Sequence, residues 1–266
     1  MVARLVQGIG DIYWILQKII DKDIDIEICS SPPLRGMQVF DVVEHNFRSV
    51  KYTDKPICTE VYTTAKYNLR WAEVKDMPIV NISANRWLDA GNRIEAWMPD
   101  EPIKKIKFKL GDPFVDEDTV VIYTSSMSNV AHKKKDIWRG EHWIEFIRQF
   151  DKDQKFHIIG AEYDRDLVEF IFYNTKFRCK MEYSIDKPLA DVLASIKKGR
   201  CFLSRASGLG ILGEAVGANV YMQYPRYETL LMNAWPRQES LSNGKYIATT
   251  GKITAKQLKE IVEQWH

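Results

Sequence analysis

The stretch Leu203-Ser204-Arg205-Ala206-Ser207-Gly208-Leu209-Gly210-Ile211-Leu212-Gly213-Glu214-Ala215-Val216-Gly217 constrains the fold more than any other part of the chain. It reads as the end of a buried strand (Arg200 to Ser204), a tight turn, and a helix beginning near Ser207. Ser207 suits the N-cap, because its hydroxyl can accept from the free backbone N–H groups of the first turn. Gly208 and Gly210 place no side chain between those N–H groups and an incoming ligand, and a helix N-terminus opened this way attracts phosphate. The same glycines would equally suit close packing of a helix on a strand, and spacing alone does not separate the two readings. A second strand–glycine–helix junction lies at Gly8 to Asp11. Two such junctions predict two nucleotide-fold domains facing each other.

The rest of the chain alternates in the same way. Residues 2–7 are a short apolar strand, and Ile12, Leu16, Ile19 and Ile20 follow at helical spacing. Ile24, Ile26 and Ile28 alternate as a strand that Pro32-Pro33 ends. Gly36 to His45 reads as a short helix and Ser49 to Thr53 as a third strand. This β-α-β-α-β order predicts a parallel sheet with helices on its faces. Ile79 to Ile82 is a further strand, and Trp87, Ile94 and Trp97 recur at helical spacing. The alternation restarts with strands at Thr119–Thr124, Phe156–Ile159, Arg178–Met181 and Asn219–Tyr224. Between them lie helices at Glu141–Phe150 and Asp164–Tyr173, and one capped by Asp186 with Pro188 just inside it. Thr254 and Gln257 make a capping box for a final helix. The expected fold class is α/β: two Rossmann-like domains facing a cleft, each a parallel sheet with helices on both faces. The composition shift at about residues 105–117 divides the chain into 1–110 and 111–253, with a helix at 254–266 that can pack back on the first domain.

Composition excludes several classes. The net charge of +2 over 266 residues gives no footprint for nucleic acid or a membrane surface. Cys29, Cys58, Cys179 and Cys201 form no CxxC pair, which argues against a zinc or thioredoxin-like motif. No run of about 18 apolar residues is present, and Met1-Val2-Ala3-Arg4 leads straight into a strand without a signal-peptide pattern. A cytoplasmic protein is expected.

Four motifs then fall in order: Gly8-x-Gly10-Asp11 at the first strand–helix junction; Trp138-x-x-Glu141-His142-Trp143 at a helix start; Leu189 to Ile196 followed by a buried strand and Ser207-Gly208; and Val216-Gly217-Ala218-Asn219-Val220-Tyr221. In this order the chain resembles the heptosyltransferase-like glycosyltransferases (family 9, GT-B fold) over most of its length. The turn Ser207-Gly208-Leu209-Gly210-Ile211 also resembles that of short, divergent viral and environmental members. Three positions depart from the family pattern. Ala206 stands where the family has an acid, Gly210 where it has a histidine, and Asp136 in place of a loop lysine, with Lys135 the nearest base.

The resemblance implies a hexosyl- or heptosyltransferase that moves a sugar from a nucleotide-diphosphate sugar to a glycan or other hydroxyl acceptor. Inversion without a metal is expected, with no cofactor beyond the nucleotide-sugar substrate. By resemblance Asp11 is the catalytic base. It lies at the carboxyl end of strand one, where open α/β sheets bind ligands, although a first-turn carboxylate is also favoured by the helix dipole alone. The diphosphate would meet Ser125, Ser126, Lys133 and Lys135 from one loop and Ser207, Gly208 and Leu209 opposite, since hydroxyls and ammonium groups complement its charge. The lysine run also reads as a solvated loop. Gly160, Glu162, Met181 and Glu214 would lie by the nucleotide base and ribose, although Glu214 also reads as a solvent-facing helix carboxylate. Gly8, Gly10 and Asn85 would line the acceptor side. Two alternatives compete: a catalytically degenerate nucleotide- or glycan-binding protein, and an NAD(P)-dependent oxidoreductase. Tyr13 at the third glycine position of the dinucleotide fingerprint opposes the second.

Overall fold

A computed structural model describes residues 1–6, 8–29, 35–53, 70–82, 97–125, 138–224, 246–250 and 253–265. The chain divides into two compact units between Lys109 and Leu110. In the first, β1 (Val2–Val6) leads into α1 (Ile9–Ile19), then β2 (Asp25–Cys29), α2 (Gln38–Val42), β3 (Ser49–Thr53), α3 (Trp71–Val74) and β4 (Ile79–Ile82). The sheet order is β3-β2-β1-β4 and every pairing is parallel, with Val2 opposite both Asp25 and Ile79.

The helical spacing of α1 has the expected cause: Ile12, Ile15, Leu16 and Ile19 are all buried. The helix is not a surface helix, however. Gln17 and Lys18 on its polar side are buried too, Lys18 to 1% exposure. The Lys18 ammonium donates to the Glu101 carbonyl at 2.6 Å, and Lys104 reaches back to the Lys18 carbonyl at 3.1 Å and to Asp21 at 2.6 Å. The segment around Glu101–Lys104 thus covers the helix's second face with its polar groups paired, as a buried cation requires.

In the second unit, β5 (Thr119–Tyr123) is followed by α4 (Gly140–Ile147), β6 (Lys155–Gly160), α5 (Arg165–Thr175), β7 (Lys180–Ile185), α6 (Leu189–Lys198), β8 (Cys201–Arg205), α7 (Gly208–Ala215), β9 (Val220–Tyr224), β10 (Tyr246–Thr250) and α8 (Ala255–Glu263). The order β10-β9-β8-β5-β6-β7 is again wholly parallel. The sequence reading missed β10, and it began β7 two residues early and ended it four residues short. Asp186 does not cap α6: it turns out at a positive φ of 52°, and Pro188 takes the N-cap position.

One face of this sheet carries Val120, Ile122, Cys201, Leu203 and Tyr221 into a core with Trp143, Phe146 and Ile147 of α4. The rings meet edge to face, Trp138 on Trp143 at 4.9 Å and Phe146 on Phe150 at 5.1 Å, the geometry their quadrupoles prefer. The predicted capping box starts α8, Thr254 Oγ1 accepting from the Gln257 N–H at 3.2 Å and the Thr254 N–H donating to Gln257 Oε1 at 2.9 Å. The sequence reading let this helix pack back on the first domain. Its apolar residues Leu258, Val262 and Trp265 are built into the second unit's core, and Lys259 donates to the Gln149 carbonyl at 3.0 Å. Burying that stripe against aromatic rings outweighs leaving it in water, so Leu258→Ala is expected to destabilise the fold by about 2–5 kcal/mol in chemical denaturation.

His157 on β6 is buried, within 2.8 Å of Ser184 Oγ and against the Phe114 ring at 4.8 Å. Burial holds its pKa below the ordinary histidine value, with Lys187 acting in the same direction and Glu182 opposing. The unfolded chain therefore takes this proton first, and stability from the neutral ring is lost as pH falls below the unfolded value of about 6.5. Between pH 7 and 5 the wild-type melting temperature is expected to fall more steeply than that of His157→Gln. Parallel curves would show that the ring is not the titrating group.

Candidate functional site

In an open parallel sheet, ligands bind beyond the carboxyl ends of the strands, where neighbouring strands connect to opposite sides. Each unit has one such point. In the first it falls between β1 and β4, in the second between β5 and β8. Both predicted glycine junctions sit at these points.

In the first unit Gly8 is the N-cap of α1, and Asp11 stands half-buried in the first turn. Gly8 has φ −66° and ψ 129°, a backbone open to any residue. Its requirement is steric: a methyl group there would collide with Asp11 Oδ2. The carboxylate therefore lies back over the helix start, where the unpaired N–H groups and the dipole favour negative charge. Gly10 is buried in the same turn. Asn85 lies outside the described residues. Gly8→Ala is expected to cost no more than about 1 kcal/mol and to drive Asp11 into another rotamer in a crystal structure of the variant. An unmoved carboxylate would refute this account of Gly8.

In the second unit Ser207 caps α7, its Oγ accepting from the Gly210 N–H at 3.1 Å. Ser204 Oγ lies 2.9 Å from Ser207 Oγ and donates to the Arg205 carbonyl at 2.6 Å. Each hydroxyl has a single hydrogen. Ser204 gives its own to Arg205, so Ser207 gives its own to Ser204. Ser207 is thus spent on positioning the turn, and the N–H groups of Gly208 and Leu209, the first two of the helix, are left as donors beyond the sheet edge. Gly210 is on the packing side, because a methyl group there would collide with Met222 Cε on β9. Close packing therefore explains Gly210, and Gly208 stands at the open N-terminus.

The other strands deliver some predicted residues to this edge and not others. Ser125 follows β5 and is buried, and Gly160 is the last residue of β6. Glu162 lies just beyond, exposed, and is gripped by Arg165 through two 2.7 Å bonds that lower its pKa. Tyr123 and Tyr163 meet across the same edge at 3.1 Å between hydroxyls. Met181 is a correction: it pairs with Phe156 near the amino end of β7, about 13 Å back from the edge residue Ile185 at 3.3 Å per residue. Glu214 is a second correction. It is buried, not solvent-facing, and it lies about 9 Å down the helix from Gly208 at 1.5 Å per residue. Ser126, Lys133 and Lys135 lie outside the described residues.

Sequence reasoning passed over Arg205 and Gln223, which stand opposite each other at the carboxyl ends of β8 and β9. An arginine ending an apolar strand was the available signal. Cys179 and Cys201 are buried, and burial pushes the Cys201 thiol up to about 12, so neither is a nucleophile at neutral pH. Among the described residues no three His, Cys, Asp or Glu side chains gather as a metal-binding set, and no helix is long and apolar enough to cross a membrane.

No known family profile matches the chain, and no curated protein matches it. Solved structures do. The glycosyl transferase family 9 protein from Veillonella parvula superposes with a TM-score of 0.61 at 10% identity, covering 99% of this chain and 96% of that one. The E. coli ADP-heptose lps heptosyltransferase II gives 0.57 at 11% identity, over 99% of each chain. The E. coli heptosyltransferase WaaC with ADP gives 0.56 at 11% identity, over 99% and 97%. The likeness is one of fold: an α/β chain of two parallel sheets flanked by helices, similar to these GT-B-like structures.

Proposed function

We propose that the chain is a glycosyltransferase that takes a sugar from a nucleoside-diphosphate sugar and passes it to a hydroxyl acceptor. The observation that carries this reading is the edge of the second sheet. There α7 begins with the Gly208 and Leu209 N–H groups not claimed by the Ser207 cap, in a turn braced by Ser204 and Ser207, and Ser125 follows the neighbouring strand β5 at the same topological switch point. That is a donor set for a diphosphate. The fold likeness supports the reading, since one of the similar structures holds ADP and another ADP-2-deoxy-2-fluoro heptose.

In the proposed reaction Asp11 accepts the proton of the acceptor hydroxyl. The acceptor oxygen bonds to the anomeric carbon as the bond from that carbon to the phosphate oxygen breaks. The nucleoside diphosphate leaves with the electron pair, and the helix N–H groups stabilise its growing charge. Attack opposite the leaving group inverts the anomeric carbon. Ser126, Lys133 and Lys135 would add donors on the diphosphate, and Gly160 and Glu162 would flank the base and ribose. A hexose or heptose is the sugar class, and the cytoplasm, where nucleotide sugars are made, the expected compartment.

The test is a melting and calorimetry panel with UDP, GDP, ADP, CMP and dTDP. One of the diphosphates is expected to stabilise the wild type. Aspartate caps a helix as well as serine does, so Ser207→Asp should fold yet repel the ligand. Asp11→Ala should bind the nucleotide within about twofold of wild type and lose about 10²–10⁴-fold in transfer rate. No response to any nucleotide would sink the reading. Binding with no transfer to any acceptor would favour a protein that binds without turnover.

A further inference from the structure

The second sheet carries a polar row that its own packing does not use. On the face that builds the aromatic core, Ile122, Leu203, Tyr221 and Ile247 are neighbours across four strands. Side chains alternate along a strand. The next row up that face, at the carboxyl edge, is therefore Thr124, Arg205, Gln223 and Thr249, with Arg205 in register with Gln223 and Gln223 with Thr249. Thr249 is bonded to the Tyr221 hydroxyl at 2.6 Å. Two of the other three are buried without a partner among the described residues. Thr124 is 1% exposed and Gln223 3%, and among the described residues neither the Thr124 hydroxyl nor either end of the Gln223 amide has a hydrogen-bond partner. Among the described residues Arg205 forms no ion pair, although burial alone has lowered its pKa to about 10 and the group stays charged at neutral pH. The side chain is only partly covered, so a small anion can reach it.

Among the described residues, three adjacent groups that can all donate, one of them a cation, have no partner at the ligand-binding edge of a parallel sheet. Buried polar groups are rarely left so unless something else completes them. We propose that Arg205, Gln223 and Thr124 form an anion subsite that takes a phosphoryl group. The arginine fork would hold two of its oxygens, and the Gln223 amide and Thr124 hydroxyl would donate to it from either side. Resting on the reading above, that group is a phosphate of the donor's diphosphate, and Arg205 supplies the positive charge at the leaving group. The subsite lies on the sheet face opposite the one on which α7 packs, so it adds to the helix N-terminus and does not repeat it.

Inorganic pyrophosphate is the probe, titrated by calorimetry and thermal shift into wild type, Arg205→Gln and Gln223→Leu. Wild type is expected to bind and to be stabilised. Arg205→Gln should bind at least tenfold more weakly, while its ligand-free melting temperature holds or rises, because a partly covered charge without an ion-pair partner among the described residues has been removed. Gln223→Leu, which keeps the cation, should bind several-fold more weakly and melt higher without ligand. The proposal is overturned if wild type does not bind pyrophosphate. It is also overturned if Arg205→Gln lowers the ligand-free melting temperature while binding is unchanged, which would make the arginine structural. The nucleotide panel separates the two readings. Nucleotide binding without pyrophosphate binding removes this subsite and leaves the donor reading. Pyrophosphate binding sensitive to Arg205, with no nucleotide bound, supports the subsite and removes the donor reading.

Discussion

Parallel pairing governs everything else in this chain. A parallel ladder cannot be closed by a hairpin, so each strand must be followed by a crossover that returns the chain to its starting end. All carboxyl ends therefore gather at one edge of each sheet, and each helix begins at or near that edge with unpaired N–H groups. Where β1 and β5 stand between neighbours reached in opposite directions, the crossovers part and leave the edge uncovered. The Gly8–Asp11 turn and the Ser204–Leu209 turn occupy those two gaps because strand order puts them there.

The two turns use glycine differently. At Gly8 the missing side chain makes room for the carboxylate three residues on. At Gly210 it makes room for a methionine on the neighbouring strand. The serine pair then decides which N–H groups remain open. Ser207 takes the Gly210 N–H and passes its own hydrogen to Ser204, which passes its hydrogen to the Arg205 carbonyl. A relay of this kind satisfies every hydroxyl inside the turn and leaves the first two amides of α7 facing outward. The turn is rigid for the same reason: moving either serine breaks two bonds.

The polar row at the same edge contrasts with that economy. A buried group without a partner costs about 1–3 kcal/mol, and Thr124 and Gln223 both stand so beside a charged arginine. The buried Lys18 ammonium, by contrast, is answered by the Glu101 carbonyl. Among the described residues, Trp97, Trp143 and Arg200 carry further buried atoms without a partner, but Thr124 and Gln223 share one row with the arginine, at the edge where a sheet of this topology binds its ligand.

Much of this was legible in the residues. Alternating isoleucines marked β2, the Thr254–Gln257 box marked α8, and Ser207 marked the start of α7, because each depends on neighbours within a few positions. Pattern also yielded the α/β class. It did not yield β10, whose short run Tyr246–Thr250 becomes a strand through the ladder that β9 offers it. Nor did it reveal that Lys18 is buried, that Met181 sits at the far end of its strand, or that Glu214 is enclosed. The sequence by itself determined most of the strands, the caps at Ser207 and Thr254 and the two glycine turns, since these rest on local sterics and hydrogen bonds. Only the tertiary structure decided which turns meet a switch point and which polar side chains share a row. Register and strand order bring together residues as distant as Thr124, Arg205 and Gln223, and no spacing along the chain encodes that.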